Sequence, residues 1–183
     1  VLFRSATAIR SGDPPEGSTE SDEFLGDLRS ATELVELIRE LQDPAEPVSV
    51  GVAAFPNGHP QSTSVQQDID TLLAKQAAGA DMAITQLFFN APEYIDFVAQ
   101  AKAAGVHMPI LPGIMPVISP ARLSRMVEIS GEEMPRDLEA ALLSTDSAEE
   151  QREIGIDHAA NLARELIAGG APGIHLYAFN QSG

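Results

Sequence analysis

Short runs of small and β-branched apolar residues alternate along this chain with helix-length amphipathic segments, and that alternation limits the fold more than any other feature. Residues 48–90 show it best. Residues 48–55 (VSVGVAAF) suit a strand buried on both faces. Pro56, Asn57, Gly58, His59 and Pro60 then break the run. A helix is predicted from about 64 to 78, stopped by Gly79, and residues 82–89 form a second buried strand with one polar intruder, Gln86. In parallel α/β proteins ligands bind at the carboxyl ends of the strands, and both His59 and Gln86 fall there.

The same pattern covers the rest of the chain. Strands are predicted near 6–10, 48–55, 82–89, 108–115 and 173–179. Helices are predicted over 30–41, 64–78, 91–104, 119–129, 135–143 and 147–168. Ser30 with Glu33 reads as a helix start, and Leu34, Leu37, Ile38 and Leu41 as that helix's apolar stripe. In the last helix the stripe is Ile154, Ile156, Leu162, Leu166 and Ile167. Repeated β-α-β crossovers of this length favour a parallel sheet. A doubly wound sheet and a (β/α)8 barrel both fit. Polar or glycine- and proline-rich loops after the strands suit the barrel. Five strands do not close an eight-stranded barrel, so on that reading about three strand-helix units are missing and two sheet edges lie open.

Length and composition add boundaries. A chain of 183 residues is ordinarily one domain. There is no cysteine, which removes disulfides and thiolate chemistry and is compatible with a cytoplasmic protein. A formal charge of −16 argues against nucleic acid and anionic membrane surfaces as partners. No apolar run approaches the roughly 20 residues of a transmembrane helix. The chain opens on Val1 rather than Met and ends at Asn180-Gln181-Ser182-Gly183, so both ends look cut. Residues 1–5 read as a non-native scar or linker and residues 6–183 as one domain.

Five positions carry candidate chemistry. Asp13, in a Gly-Asp-Pro-Pro loop past the first strand, is either a turn former or a group that tunes a cofactor or holds a substrate amine. His59, between two prolines, is either an exposed loop histidine or a ligand contact. Asp68 and Lys75 share one face of a helix. By default that is its solvated face; functionally it would place a carboxylate for a ribose hydroxyl and an ammonium for a phosphate. Gln86 is costly to bury without partners, and its amide suits a planar heterocycle. No dinucleotide fingerprint, Walker loop, nucleophile elbow or metal-ligand spacing is present in the sequence. His107 and His158 are expected to face solvent.

Five motifs occur in order: Gly12-Asp13-Pro14-Pro15; Val52-Ala53-Ala54-Phe55-Pro56 with His59-Pro60; Ala83-Ile84-Thr85-Gln86 with Phe88-Phe89; Pro112-Gly113-Ile114-Met115-Pro116; and Leu176-Tyr177-Ala178-Phe179-Asn180. Together they resemble the methylenetetrahydrofolate reductases, of the bacterial type, over nearly the whole chain after Ser5. The resemblance implies an α/β fold of the TIM-barrel class, a partial (β/α)8 barrel made of about strands four to eight. It makes residues 6–183 the C-terminal portion of one flavin-binding barrel. It implies FAD as cofactor, NAD(P)H as hydride source and 5,10-methylenetetrahydrofolate as substrate, with a homo-oligomer at full length.

Residue by residue, Asp13 matches the family aspartate near the flavin ring that also contacts folate, and Ser11 and Gly12 match its backbone neighbours. Ala53 and Phe55 match flavin-site positions; Phe55 stands where relatives often have Tyr and lacks the hydroxyl. His59, Asp68 and Lys75 match residues along the ribityl, phosphate and adenosine parts of FAD, and Gln86 the glutamine that meets folate and nicotinamide in turn. Gln181 replaces a frequent arginine at the folate tail and forms no bidentate ion pair. The family's general acid, a glutamate on the first barrel strand, has no counterpart in this chain. The residues alone leave two other readings open: a flavin-free barrel enzyme for a phosphorylated small molecule, and an inactive fragment. An anionic Asp13 beside the ring disfavours the anionic reduced flavin. Asp13→Asn in the full-length protein is therefore expected to change folate reduction more than NADH oxidation. Equal effects in the two half-reactions would refute that role.

Overall fold

In the computed structural model of the chain, residues 5–8, 28 and 30–178 are described. Four strands form one parallel sheet in sequence order: β1 (Ser5–Ala8), β2 (Ser49–Ala54), β3 (Met82–Thr85) and β4 (Ile110–Leu111). Ser5 lies opposite Ser49, Gly51 opposite Met82, and Ala83 opposite Ile110. β5 (Gly113–Ile114) and β6 (His175–Leu176) make a second parallel pair. Helices α1 (Ala31–Leu41), α2 (Val65–Ala77) and α3 (Ala91–Ala104) connect or precede the strands of the first sheet. Between β5 and β6 run α4 (Pro120–Ser130), α5 (Arg136–Leu143) and α6 (Ala148–Ala168). The expected α/β class with parallel strands holds, and among the described strands the order never reverses.

Serines start four of these helices. Ser30, Ser64, Ser119 and Ser147 each accept, through Oγ, the amide of the residue three positions on, as N-caps do. The expected pairing of Ser30 with the start of α1 is therefore present.

Three predicted strands differ from what is observed, the one expected over 173–179 being only His175–Leu176 among the described residues. The strand expected over 82–89 ends at Thr85. Gln86 still donates its amide to Ala54 O at 2.8 Å. Leu87, Phe88 and Phe89 then leave the sheet and are buried in packing: Phe88 joins the main core, Leu87 and Phe89 a second one. Their apolarity reflects packing rather than strand continuation. The strand expected over 108–115 splits at Pro112, which has no amide hydrogen and so interrupts the ladder.

Thr85 spans that break. It is fully buried. Its Oγ1 accepts the Gly113 amide at 2.9 Å, and its carbonyl accepts the Tyr177 hydroxyl at 2.8 Å. A Cβ on Gly113 would lie 2.5 Å from Thr85 O, so only glycine permits this approach. One threonine thus joins β3 to β5 and to the residue just beyond β6.

The main core lies between the first sheet and helices α1, α2, α3 and α6, with Val50, Val52 and Ala83 on the strands and Ile69, Leu72, Tyr94, Phe97 and Leu166 on the helices. Tyr94 donates its hydroxyl to Ile110 O at 2.7 Å, and burial pushes its pKa up to about 12. The second core gathers Leu87, Phe89, Met115, Val117, Leu123, Leu138 and Leu142 beneath α4 and α5. Helix faces are set by this packing more than by the stripes read from sequence. Val35 is the buried residue of α1, whereas Leu41 is 73 % exposed. In α6, Leu162 and Leu166 are buried but Ile156 and Ile167 are exposed.

At the amino end of the strands Arg39 is a hub. Its guanidinium donates to Gly79 O and Val48 O and pairs with Asp81 at 2.5 Å, and Asp81 in turn accepts the Val50 amide. This arginine ties α1 to the starts of β2 and β3.

Thr85→Val keeps shape but removes the acceptor for the Gly113 amide, leaving a buried donor unpaired. A loss of about 2 kcal/mol is expected, seen as a lower urea midpoint at unchanged slope.

Candidate functional site

Beyond the carboxyl end of β2 the chain makes two successive turns, each with proline in its second position, where its fixed φ is favourable. Gly58 N–H closes the first on Phe55 O at 3.2 Å, and Ser62 N–H closes the second on His59 O at 2.8 Å. Gly58 itself has φ +93°, a conformation costly for any residue with a Cβ. The loop therefore has one defined path, and it sets His59 beside the first turns of α2.

A cavity of about 250 Å³ opens there. Ala53, Phe55, His59, Asp68 and Lys75 all line it, so the structure brings together five of the sequence-predicted site residues. The Phe55 and His59 rings meet edge to face at 4.7 Å. Asp68 and Lys75 are not on a solvated face: both are buried. Asp68 accepts the Ser62 hydroxyl at 2.5 Å and the His59 amide at 3.3–3.4 Å. Lys75 Nζ donates to Ala53 O at 2.8 Å. Burial lowers the Lys75 pKa, and the Asp68 carboxylate partly opposes that shift. An ammonium has three donors, and among the described residues only Ala53 O takes one. A desolvated cation with two unmet donors suits an anionic ligand oxygen.

Gln86 lies outside this cavity. It is half-buried, and its Oε1 accepts the next backbone amide, Leu87 N, at 2.9 Å. Its Nε2 has no partner among the described residues. Ser11, Gly12, Asp13 and Gln181 lie outside the described residues.

Sequence reading missed other parts of this wall. Thr71 and Gln67 line the cavity from α2. The face shared by Asp68 and Lys75 was the signal for Thr71, which sits between them. Ser62 gave none. Asn57 was also missed: its Nδ2 donates to Glu93 Oε2 at 2.9 Å and also to Glu132 Oε2, so it bridges α3 and the turn after α4. Burial raises the Glu132 carboxyl to about 7 against the pull of the Asn57 bond, with Glu93 and Glu133 adding to the rise. His158, expected in solvent, is half-buried. Its Nε2 has no hydrogen-bond partner within 3.5 Å among the described residues, and burial lowers its pKa while the Phe89 backbone and Glu165 oppose that shift. It lines a separate cavity of about 630 Å³ between α3, α5 and α6. No group of three or more acidic, histidine or cysteine side chains among the described residues is arranged to hold a metal, and no described helix is long and apolar enough to cross a membrane.

Comparison with known proteins decides the family. The family model described as methylenetetrahydrofolate reductase matches residues 3–183. The chain belongs to the methylenetetrahydrofolate reductase family. It is 36 % identical to a Caenorhabditis elegans protein named "probable methylenetetrahydrofolate reductase (NADPH)", over 99 % of this chain and 27 % of that one. It is 31 % identical to the 5,10-methylenetetrahydrofolate reductase of Salmonella typhimurium, over 98 % of this chain and 57 % of that one. The chain thus spans between about a quarter and just over half the length of these two relatives. Among solved structures it shares its fold with an uncharacterized Clostridium thermocellum protein that binds two copies of 5-methyl-5,6,7,8-tetrahydrofolic acid. The TM-score is 0.54 and the identity 17 %, over 82 % of this chain and 53 % of that one.

Glu132 supplies a pH test. Its folded pKa, about 7, exceeds its ordinary 4.5, so between those values the folded state holds more protons than the unfolded one and stability falls as pH rises. Glu132→Gln is expected to flatten that decline between pH 4.5 and 7 and to leave the protein more stable than wild type at pH 8, measured by urea unfolding across pH.

Proposed function

We propose that this chain is the cofactor- and folate-facing part of an enzyme that reduces 5,10-methylenetetrahydrofolate to 5-methyltetrahydrofolate with FAD as cofactor and NAD(P)H as hydride source. The observation that carries the reading is the convergence of Ala53, Phe55, His59, Asp68 and Lys75 on one cavity, in a chain of the family that uses those positions for flavin. The cavity's chemistry agrees with a sugar-phosphate portion of the cofactor. Its polar groups are hydroxyls, two amides, an imidazole, a carboxylate and an ammonium, and at about 250 Å³ it lies below the span usual for a whole ligand of drug size. The ring and the remainder would therefore rest on other surfaces.

On this reading Lys75 holds a phosphate oxygen with the two donors that have no partner among the described residues, and His59 and the hydroxyls of Ser62 and Thr71 meet the ribityl chain. Gln86, at the next strand end, offers its Nε2 to a planar substrate. When bound, the flavin supplies the hydride chemistry; the protein contributes position and field. Asp13 and Gln181 are assigned to ring tuning and folate on the family match alone. We further read the sequential parallel strands as strands four to eight of a (β/α)8 barrel, residues 6–183 being one domain. Met82 and Ile84, half-exposed on the sheet face away from the helices, are consistent with a wall that further strands cover.

The full-length protein is expected to show flavin absorbance after purification, and Lys75→Met to weaken FAD binding at least tenfold in a fluorescence titration, the scale of one lost charge-assisted bond. A wild-type protein without flavin that still binds phosphate esters would point instead to the flavin-free barrel enzyme.

A further inference from the structure

The hydrogen bonds around His59 fix more than its place. Gln61 N–H donates to His59 Nδ1 at 3.1 Å. A ring nitrogen that accepts a hydrogen bond carries no proton, so a neutral imidazole here holds its proton on Nε2. The ring is further held edge-on by Phe55 at 4.7 Å. The backbone that makes the Nδ1 contact is the second turn of the loop, closed by Ser62 N–H on His59 O. The Asp68 carboxylate anchors that turn to α2: it accepts the Ser62 hydroxyl at 2.5 Å and the His59 amide from the other end of the same turn, while Thr63, just beyond the turn, bonds Gln67 Oε1 through its amide and hydroxyl. Asp68 is 7 % exposed, so these bonds act where water competes little.

We propose that Ser62 is a positioning residue: by bonding Asp68 it holds the His59–Ser62 turn in register, so that His59 presents Nε2–H as a fixed donor on the cavity wall. The ligand atom matched to it is an acceptor, a hydroxyl or phosphate oxygen. This deepens the cofactor reading above and rests on it for the identity of the ligand. The turn and its tautomer are properties of the ligand-free protein. Without the Ser62 hydroxyl, Asp68 keeps only the longer bonds to the His59 amide, and Gln61 N–H loses its alignment on Nδ1.

The test uses the full-length protein, ¹⁵N-labelled at histidine, first without FAD. A long-range ¹H–¹⁵N spectrum is expected to show His59 with a bare Nδ1 and a protonated Nε2. Ser62→Ala is expected to give an averaged tautomer pattern and about tenfold weaker FAD binding by titration, and Ser62→Thr, which keeps the hydroxyl, to restore both. If Ser62→Ala does not fold, Ser62→Cys, with similar volume and a weaker donor, takes its place with the same expected direction. A wild-type spectrum with the proton on Nδ1, or an alanine or cysteine variant matching wild type in both readouts, overturns the proposal. Absence of FAD binding by the wild type overturns the cofactor reading instead, while the ligand-free spectrum still decides the role of Ser62.

Discussion

The two parallel sheets are one structure because of Thr85. A parallel ladder needs an amide at each step, and Pro112 withholds one at the point where β4 gives way to β5. A side-chain hydroxyl from the neighbouring strand receives the next amide, and the same residue's carbonyl holds Tyr177 beyond β6. Burial magnifies the importance of both bonds, since a polar group left unpaired inside the protein has no water to turn to. The glycine opposite is part of the same device, because any larger residue would push the strands apart. The placement of the second core, and of the helices above it, follows from this junction.

The two ends of the first sheet have different chemistry. At the amino end Arg39 satisfies backbone carbonyls and Asp81, a network paired within the protein. At the carboxyl end the loop that Asp68 anchors supplies its partners, whereas the buried cationic head of Lys75 has one hydrogen bond, to Ala53 O, among the described residues. A cation held this way costs desolvation that protein groups only partly offset, and an anion completes it. Among the described residues this contrast matches the division between stabilising and ligand-facing ends found in parallel α/β proteins.

Much of this was legible in the sequence. The cap at Ser30, glycine stops and the alternation of periods placed every described helix to within a residue or two, because those signals act locally. Grouping His59, Asp68 and Lys75 needed the family match; helical spacing put the last two on one face but read that face as solvated, and only tertiary packing shows it buried. The strand over 82–89 was overextended because three aromatic and aliphatic residues look the same whether they continue a ladder or turn into a core between helices. Ser62, Asn57 and Glu132 were invisible for another reason. Each acts through a partner distant along the chain or placed by a turn, and neither hydrophobic period nor composition records such a pairing.

The second hydrophobic core has a consequence of its own. Leu123, Leu138 and Leu142 on α4 and α5 bury their side chains against Leu87, Phe89, Met115 and Val117 rather than against the cluster that holds Val50 and Leu72. A region with its own apolar interior can exchange its amides and melt as a cooperative unit at a free energy below that of global unfolding. Asn57 bonds that unit, through Glu132, to the loop carrying His59. Breathing of the α4–α5 layer would therefore be felt at the cavity wall without any strand of the first sheet coming apart.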